Sequence, residues 1–212
     1  MNKTEKYKVL QKHYEDCYRA HGDSILGVDW KDIDRVKRRM RVMMEPCKGG
    51  TTLLDFGCGN GLLLEYIIKN GIDVEYSGLD ISNDFVSLCK RKFDKRFSFF
   101  QKDILKSPLL KSYDYIVCNG VFTEKRTLTD AEMFDLLISI VEKLFKKTNT
   151  CLSFNVMTAN VDFKDDMLFY LSYDKITDFV SKNLSINYSI IRNYSAYEYT
   201  LRIYKEGARE NA

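Results

Sequence analysis

Short apolar runs alternate with amphipathic segments through the middle of the chain. The apolar runs are typical of buried strands, because each has about four to eight residues and is rich in branched or aromatic side chains. The amphipathic segments repeat apolar residues three and four positions apart, which predicts helices. The predicted strands are 51–56, 74–80, 97–103, 113–120 and 150–157. The predicted helices of this region are 62–71, 83–93 and 129–147.

Local signals mark the ends of these helices. Thr129 followed by Glu132 forms a capping box, in which each side chain bonds the other residue's main chain. Ser82 or Asn83 caps the helix at 83–93, and Gly71 ends the first helix. The boundaries are therefore predicted by chemistry as well as by periodicity.

The C-terminal part of the chain follows a different pattern. After a polar insertion and a helix near 174–183, the segments "INYSIIRNY" and "EYTLRIYK" lie close together in the sequence. Such tight spacing favours an antiparallel pair. The preceding strand-helix-strand units instead favour parallel pairing with right-handed crossovers. The sequence therefore predicts an α/β fold, with a doubly wound sheet of seven strands that is mostly parallel and ends in an antiparallel hairpin.

The length of 212 residues and the hydrophobic content of 45% suit one domain. We expect a single unit, 1–212, in which 1–48 is a helical N-terminal segment and 49–160 is the ligand-binding core. Residues 161–212 then form an insertion and the C-terminal hairpin. We expect no membrane insertion, because no run approaches the roughly 18 apolar residues of a membrane span. The polar N-terminus has no signal-peptide pattern, so a cytoplasmic location is predicted.

The charge and the cysteine content limit the kinds of ligand and partner that the sequence predicts. Lys plus Arg is 33 and Asp plus Glu is 30, so the net charge is only +3, and we expect no nucleic acid as partner. The six cysteines contain no C-x-x-C pair, and the chain has two histidines. This composition disfavours a zinc site, so no metal is expected, and it fits a reducing compartment. The sequence predicts no oligomeric state.

The stretch "LLDFGCGNG", residues 53–61, places three glycines at alternate positions behind the first strand. A turn without side chains at the carboxyl edge of such a sheet lets a ligand touch the main chain. The dinucleotide pattern G-x-G-x-x-G fails because Leu62 takes its last position, and no P-loop Lys-Ser or Lys-Thr follows. A tight turn without a ligand is the plainer alternative. The sequence pattern that remains is D-x-G-x-G-x-G.

That sequence pattern resembles the first motif of class I S-adenosylmethionine-dependent methyltransferases. "GLDIS" (78–82), "QKDI" (101–104) and "YDYIVCNGVF" (113–122) are similar to the second, third and fourth motifs, in the same order. The resemblance implies a Rossmann-like methyltransferase fold with S-adenosylmethionine as cofactor and S-adenosylhomocysteine as product. It assigns cofactor binding to Asp55, Phe56, Gly57, Cys58, Gly59, Asn60, Gly61, Asp80, Ile81, Asp103, Ile104 and Asn119.

Three of these residues have stated roles in the resemblance. Asp80 holds the ribose hydroxyls, since a carboxylate accepts two hydrogen bonds at once. Asp103 accepts from the adenine amine, and Ile104 covers the ring. Plainer alternatives are a helix cap for Asp80 and a turn closed by Asn119 and Gly120.

The segments "HGDSILGVDW", "NGVFTEKR" and "YEYTLRIYK" resemble small bacterial methyltransferases encoded with surface-polysaccharide genes, including those that modify a capsular phosphoramidate. This likeness implies O- or N-methylation of a small polar acceptor, such as a nucleotide-linked, sugar or phosphoramidate precursor. The candidate acceptor-binding residues are Tyr14, Tyr18, Trp30, Arg39, Phe122 and Arg126.

The expected chemistry is in-line displacement on an activated sulfonium methyl, so positioning supplies most of the rate. A hydroxyl acceptor also requires a general base, whereas a phosphate-type oxygen or a neutral amine does not. The fourth motif offers no obvious base. By elimination the candidates are His13, His21 and Glu124.

The N-terminal segment 7–45 is outside the core motifs and is rich in aromatic and polar residues. We consider two roles for it: a lid over the cofactor, or a helical arm packed on the sheet. Three alternative functions also stay open. A nucleic-acid amino-methyltransferase ranks second, although Asn119-Gly120-Val121-Phe122 lacks the two prolines of that class. A catalytically silent cofactor-binding protein and a nicotinamide oxidoreductase rank third and fourth.

Overall fold

Eight strands form one sheet in the computed structural model, which describes residues 5–195 and 197–208. The strands are β1 Thr51–Phe56, β2 Val74–Asp80, β3 Ser98–Gln101, β4 Tyr113–Cys118, β5 Thr148–Thr158, β6 Tyr170–Leu171, β7 Tyr188–Ile191 and β8 Glu198–Tyr204. The helices are α1 Lys8–His21, α2 Ile33–Met44, α3 Leu62–Lys69, α4 Asn83–Lys92, α5 Asp130–Phe145 and α6 Tyr173–Asn183, with a short 3-10 turn at Leu26–Val28.

The strand order is β3-β2-β1-β4-β5-β8-β7, and β1 to β5 run parallel. β8 inserts between β5 and β7 and is antiparallel to both. The predicted α/β fold with a reversed C-terminal hairpin is therefore confirmed. The two-residue β6, which pairs with the end of β5, lies in the polar insertion where no strand was predicted.

Helices cover both faces of the sheet because successive strand residues point to opposite sides. Leu54 faces the core cluster beneath α5 and α6, whereas Leu53 faces the cluster formed with α2, α3 and α4. The capping box of Thr129 and Glu132 begins α5 as predicted.

The chain changes direction across the sheet between β1 and β4, which are neighbours. In doubly wound folds this switch point opens a crevice at the carboxyl ends of the strands. The turns after β1, β2 and β4 meet there, so the architecture brings the predicted motifs to one edge.

The segment before β1 has two parts that differ in packing. α2 buries an apolar face that includes Val36, Met40 and Met43. α1 has no fully buried residue, although Val9 and Leu10 pack partly against the core. No helix within 5–195 and 197–208 has the length and apolar character to cross a bilayer.

Candidate active site

The turn after β1 has three positions with positive φ angles, and each of them is a glycine. Gly57 and Gly59 have φ angles of 74° and 53°, a region that L side chains rarely adopt. A Cβ at Gly57 would lie 2.6 Å from Val121 Cγ2, and one at Gly59 would lie 3.2 Å from Val28 Cγ1. The turn also carries Gly61, at φ 81°. A ligand at this edge can therefore contact the main chain directly.

Asp80 ends β2 beside that turn. Its Oδ2 accepts from the Gly59 amide at 2.9 Å, and its Oδ1 accepts from the Ser82 amide at 2.8 Å. The Ile81 amide also interacts with this carboxylate, and a carboxylate has about four acceptor positions, so a position remains for a ligand. Burial raises the pKa of Asp80 to about 6. Ser82, and not Asp80, is the N-cap residue of α4, and the contacts of Asp80 are compatible with a ribose contact by the same side chain.

Asp55 lies at the end of β1, beneath the glycine turn. The Tyr76 hydroxyl donates to Asp55 Oδ2 at 2.8 Å. Burial raises the pKa of Asp55 to about 7, despite that hydrogen bond. Cys58 is buried beside it, and a hydrogen bond with Cys89 together with burial raises the pKa of the Cys58 thiol well above its usual range. Cys58 therefore packs as a neutral thiol.

Asp103 follows β3 and is held by the N-terminal segment. The Tyr7 hydroxyl donates to Asp103 Oδ2 at 2.6 Å, and Asp103 Oδ1 accepts from the Leu105 amide at 3.0 Å. Ile104 is buried next to it. Burial and the bond to Asp103 raise the pKa of the Tyr7 phenol. An acceptor and an apolar side chain thus stand side by side where the resemblance puts the adenine.

Two buried polar atoms at the crevice have no hydrogen-bond partner among the residues that the structure describes. They are Asn119 Oδ1, after β4, and Ser82 Oγ, after β2. A buried polar atom without a partner costs about 1 to 3 kcal/mol. A ligand that donates hydrogen bonds removes that cost, so both atoms indicate a binding site.

One cavity joins these features. It is lined by Asp55, Phe56, Gly57, Cys58, Gly59, Asn60, Asp80, Ile81, Ser82, Asp103, Ile104, Asn119, Gly120, Val121 and Phe122, and on the N-terminal side by Tyr7, Leu10, Gln11, Tyr14, Val28 and Trp30. The lining offers carboxylate and amide acceptors, main-chain atoms of the glycine turn, and apolar side chains. S-adenosylmethionine has hydroxyl and amine donors and a flat base, so the residues fit it.

The N-terminal segment forms the wall opposite the sheet edge. Trp30 lies against Gly120, where an added Cβ would be 2.9 Å from the indole Cζ2. The Tyr14 hydroxyl donates to the Gly120 carbonyl at 3.5 Å. Asn60 reaches the same segment, since its Nδ2 donates to the Ser24 carbonyl at 3.0 Å. Residues between 7 and 30 thus contribute to the cavity lining, whereas α2 packs in the core; the role of the segment as a lid stays a prediction.

A buried polar chain holds the main chain after β4. The Gly120 amide donates to Asn155 Oδ1 at 2.7 Å, and Asn155 Nδ2 donates to Glu198 Oε2 at 2.7 Å. Arg39 Nε lies 3.0 Å from Glu198 Oε2, and its guanidinium carbon lies 4.9 Å from the Trp30 ring centroid. We call Arg39, Glu198 and Asn155 the buried relay. It fixes the position of the Gly120 main chain, which lines the cavity and which we call the methyl-transfer edge after the predicted role of the fourth motif.

The His13 ring contacts the Tyr14 ring, with ring centroids 5.2 Å apart. Its Nε2 lies 2.8 Å from Asp29 Oδ2 and 3.8 Å from Cys17 Sγ. The potential metal-binding atoms of these three residues lie within 4.8 Å of one another. Asp29 Oδ2 and Cys17 Sγ both lie within hydrogen-bond reach of His13 Nε2, and burial raises the pKa of the Cys17 thiol.

Seven predicted site residues are not among those that line the cavity: Gly61, His13, Tyr18, His21, Arg39, Glu124 and Arg126. Glu124 pairs with Arg126 at 3.3 Å, and burial raises the pKa of the Glu124 carboxyl. Arg126 and Asp29 have positive φ angles of 53° and 57°, a local strain that often accompanies function. His21 is exposed at the end of α1, so the structure does not bring it to the cavity. Tyr18 also lies outside the lining and packs on Phe85, at 5.3 Å between ring centroids.

Several residues of the site escaped the sequence analysis. Tyr7, Asp29, Asn155 and Glu198 reach it only because distant segments fold together. Glu198 offered one signal, since it is a charged residue in a predicted apolar strand and is buried in β8. The others offered none, because Asn and Asp are ordinary at strand ends and in turns.

Comparison with known proteins agrees with this geometry. A family model described as a methyltransferase domain matches residues 47–189. Rv1506c, a methyltransferase-like protein of Mycobacterium tuberculosis, is 27% identical over 154 residues, which cover 71% of this chain and 91% of that protein.

Two solved structures share the fold at low sequence identity. The 1,6-didemethyltoxoflavin-N1-methyltransferase of Burkholderia thailandensis, with bound 1,6-didemethyltoxoflavin and S-adenosylhomocysteine, has a TM-score of 0.65 at 11% identity and covers 97% of this chain and 91% of its own. The N-methyltransferase NodS of Bradyrhizobium japonicum, in complex with S-adenosylhomocysteine, has a TM-score of 0.61 at 13% identity and covers 95% and 98%. The family match extends from the residues before β1 into β7, so this chain belongs to the methyltransferase domain family, whose cofactor is S-adenosylmethionine.

Proposed function

We propose that the protein methylates an oxygen or nitrogen atom of a small polar acceptor, and that this acceptor is a nucleotide-linked, sugar or phosphoramidate precursor of a surface polysaccharide. The convergence of the glycine turn, Asp80 and Asn119 Oδ1 at one cavity carries the methyl-transfer part. The resemblance of three sequence segments supports the polysaccharide part. The Burkholderia structure, which contains 1,6-didemethyltoxoflavin, supports a small acceptor.

In this proposal the cofactor supplies the activated methyl group, and the chain supplies its position. Asp80 accepts from the ribose hydroxyls, Asp103 accepts from the adenine amine, and Ile104 covers the base. Asn119 Oδ1 accepts from a donor at the methyl-transfer edge. Tyr14 and Trp30 exclude water on the side where the acceptor enters, which preserves its alignment for in-line attack.

His13 is our proposed general base for a hydroxyl acceptor. Asp29 Oδ2 lies 2.8 Å from His13 Nε2 and holds the imidazole in its orientation. His21 is a weaker candidate because it is exposed at the end of α1. An acceptor with a phosphate-type oxygen or a neutral amine needs no base, so the dependence on His13 reports the acceptor class. We retain a cytoplasmic location in the proposal, since no disulfide joins the six cysteines, all of which lie in the described part of the chain.

The test is a screen of phosphorylated and nucleotide-linked small molecules for release of S-adenosylhomocysteine. We expect release with at least one member, its loss in Asp80→Ala, and its loss in His13→Gln only if a hydroxyl is methylated. Cofactor binding without release from any acceptor, including RNA, would instead favour a silent cofactor-binding protein.

A further inference from the structure

A second groove lies between α2 and the loop that joins β7 to β8. Arg35 and Arg38 of α2 and Arg192 of the loop line it, and all three side chains are exposed. We call it the arginine groove. It lies outside the cavity that holds the cofactor motifs, and the methyl-transfer chemistry described above does not use it.

Backbone hydrogen bonds from Arg35 and Asp34, together with the charges of Arg35 and Arg38, lower the pKa of Asp32 at the start of α2, so this carboxylate offsets part of the charge of the arginine groove. Within the described ranges, Arg35, Arg38 and Arg192 form no ion pair with a carboxylate, whereas their neighbours Lys37 and Arg39 pair with Asp34 and Glu198. Three guanidinium groups around one concave surface repel one another. An anion bound between them relieves that repulsion, so the groove is built to attract negative charge.

The remaining lining suits phosphate in particular. Asn193 and Ser195 add an amide and a hydroxyl from the loop. The Tyr197 ring is 50% exposed, and the guanidinium carbon of Arg35 lies 5.6 Å from its centroid. Guanidinium forks match phosphate oxygens in pairs, and an exposed aromatic ring offers a face to a base or sugar.

The arginine groove adjoins the methyl-transfer edge. Arg35 and Arg39 lie one helical turn apart on α2, a rise of roughly 5 to 6 Å. Arg39 stacks on Trp30, which in turn lies against Gly120. Glu198 of the buried relay follows Tyr197 directly in the sequence. The Arg39 and Trp30 side chains therefore connect the part of α2 that lines the arginine groove to the Gly120 main chain of the cavity.

We infer that the arginine groove binds a phosphate or diphosphate group of the acceptor, an inference that rests on the proposed function. It narrows the acceptor to a phosphorylated or nucleotide-linked molecule, with the atom to be methylated beyond the phosphate. A small ligand suits the groove better than a nucleic acid does. The basic residues are confined to three guanidiniums, and the chain carries a net charge of only +3.

The test measures binding of inorganic pyrophosphate and of uridine diphosphate, whose base differs from the adenine of the cofactor, by calorimetry at one salt concentration. The variant is Arg38→Gln/Arg192→Gln. Its matched control is Lys90→Gln/Arg91→Gln, which removes the same charge from exposed positions of α4. Binding of S-adenosylhomocysteine and thermal unfolding are measured for every protein.

We expect both probes to bind the wild type and the control, and to bind the groove variant at least roughly tenfold more weakly, as expected for lost charge-assisted hydrogen bonds. Cofactor-product binding and thermal stability stay unchanged. If the control variant binds both probes as weakly as the groove variant does, or if the wild type binds neither probe, the inferred phosphate site is wrong. The proposed function is then unaffected. Pyrophosphate binding without S-adenosylhomocysteine binding contradicts the proposed function instead. If a single-stranded RNA binds more tightly than uridine diphosphate and needs the same arginines, the acceptor is a nucleic acid and the inference of a small acceptor is wrong.

Discussion

The proposed cofactor side and the proposed acceptor side of the cavity are built in different ways. On the cofactor side, the residues after β1, β2 and β3 supply main-chain groups and carboxylates, and each lies within a short sequence motif. On the acceptor side, the buried relay joins Arg39 of α2, Asn155 of β5 and Glu198 of β8 to one amide of the β4 loop. The first side is made of local turns, and the second of contacts between distant segments.

The difference has a physical origin. A bound nucleoside is recognised through the end of a strand and the turn after it, so a few adjacent residues suffice. An acceptor must be aligned with a fixed methyl group, which requires rigid main chain held from several directions. Changes on the cofactor side should therefore weaken binding, whereas changes on the acceptor side should lower turnover.

The largest expected effect is that of Gly59→Val. We expect no measurable binding of S-adenosylhomocysteine, because a side chain at φ 53° projects from the turn that the ligand must touch. Gly71→Val is the matched control, since Gly71 has φ 63° and open space around it. Both variants lose stability by at least about 1 to 2 kcal/mol from the left-handed conformation. Calorimetry and thermal unfolding check this, and normal binding by Gly59→Val would place the cofactor elsewhere.

Removal of residues 1–30 tests whether the N-terminal segment acts as a lid over the acceptor side of the cavity. We expect a cooperative thermal transition with turnover lost, because α2 and both core clusters remain while Tyr14 and Trp30 are absent. Water then reaches the reacting groups, and the acceptor loses its alignment. Retained turnover would contradict the lid, whereas loss of the folded state would show that α1 is a structural arm.

Asp80→Ala should weaken S-adenosylhomocysteine binding by roughly 2 to 3 kcal/mol, the scale of hydrogen bonds to a charged group. Asp80→Asn keeps an acceptor oxygen of the same shape and should lose less. Calorimetry measures both affinities, with thermal unfolding as the check on the bonds to Gly59 and Ser82. Equal affinity in the alanine variant would remove Asp80 from the cofactor site.

The buried relay permits an exchange of partners. Asn155→Asp places two carboxylates side by side, and Glu198→Gln removes the charge that faces Arg39, so each should lower kcat roughly tenfold. The double variant restores one carboxylate and one amide in contact, with the carboxylate still accepting from the Gly120 amide. We expect it to recover most of kcat, with unchanged S-adenosylhomocysteine binding throughout. Failure of the double variant to recover in a folded protein would reduce the relay to a packing role.

The smallest effect concerns pH. Ribose hydroxyls donate best to the ionised form of Asp80, whose pKa is about 6 in the folded protein, so ligand binding lowers that pKa and releases a proton. Affinity for S-adenosylhomocysteine should therefore fall as pH decreases from 7 to 5, by up to about tenfold. Titration calorimetry at several pH values checks this, and Asp80→Asn should show a flatter profile. An equal slope in both proteins would assign the pH dependence to another group.

Prediction from sequence succeeded where the signal was local. β1 and β2 have the predicted bounds, and Thr129 caps α5 as the capping box requires. The glycine turn, Asp80 and Asp103 come together because parallel strands end at the same edge of a sheet. β6 escaped prediction because two residues give no periodicity, and it exists only by pairing with the end of β5.

The sequence by itself determined the strand-helix alternation, the motif order and the chemistry of the cofactor side, since each depends on residues close together in the chain. Only the tertiary structure decided that Tyr7 bonds Asp103, that Asp29 holds His13, and that Glu198 and Asn155 reach the β4 loop. Those pairs are separated by up to 96 positions or lie on strands whose neighbours are set by topology. Their contacts follow from the packing of α1, α2 and β8 on the sheet, which no local pattern encodes.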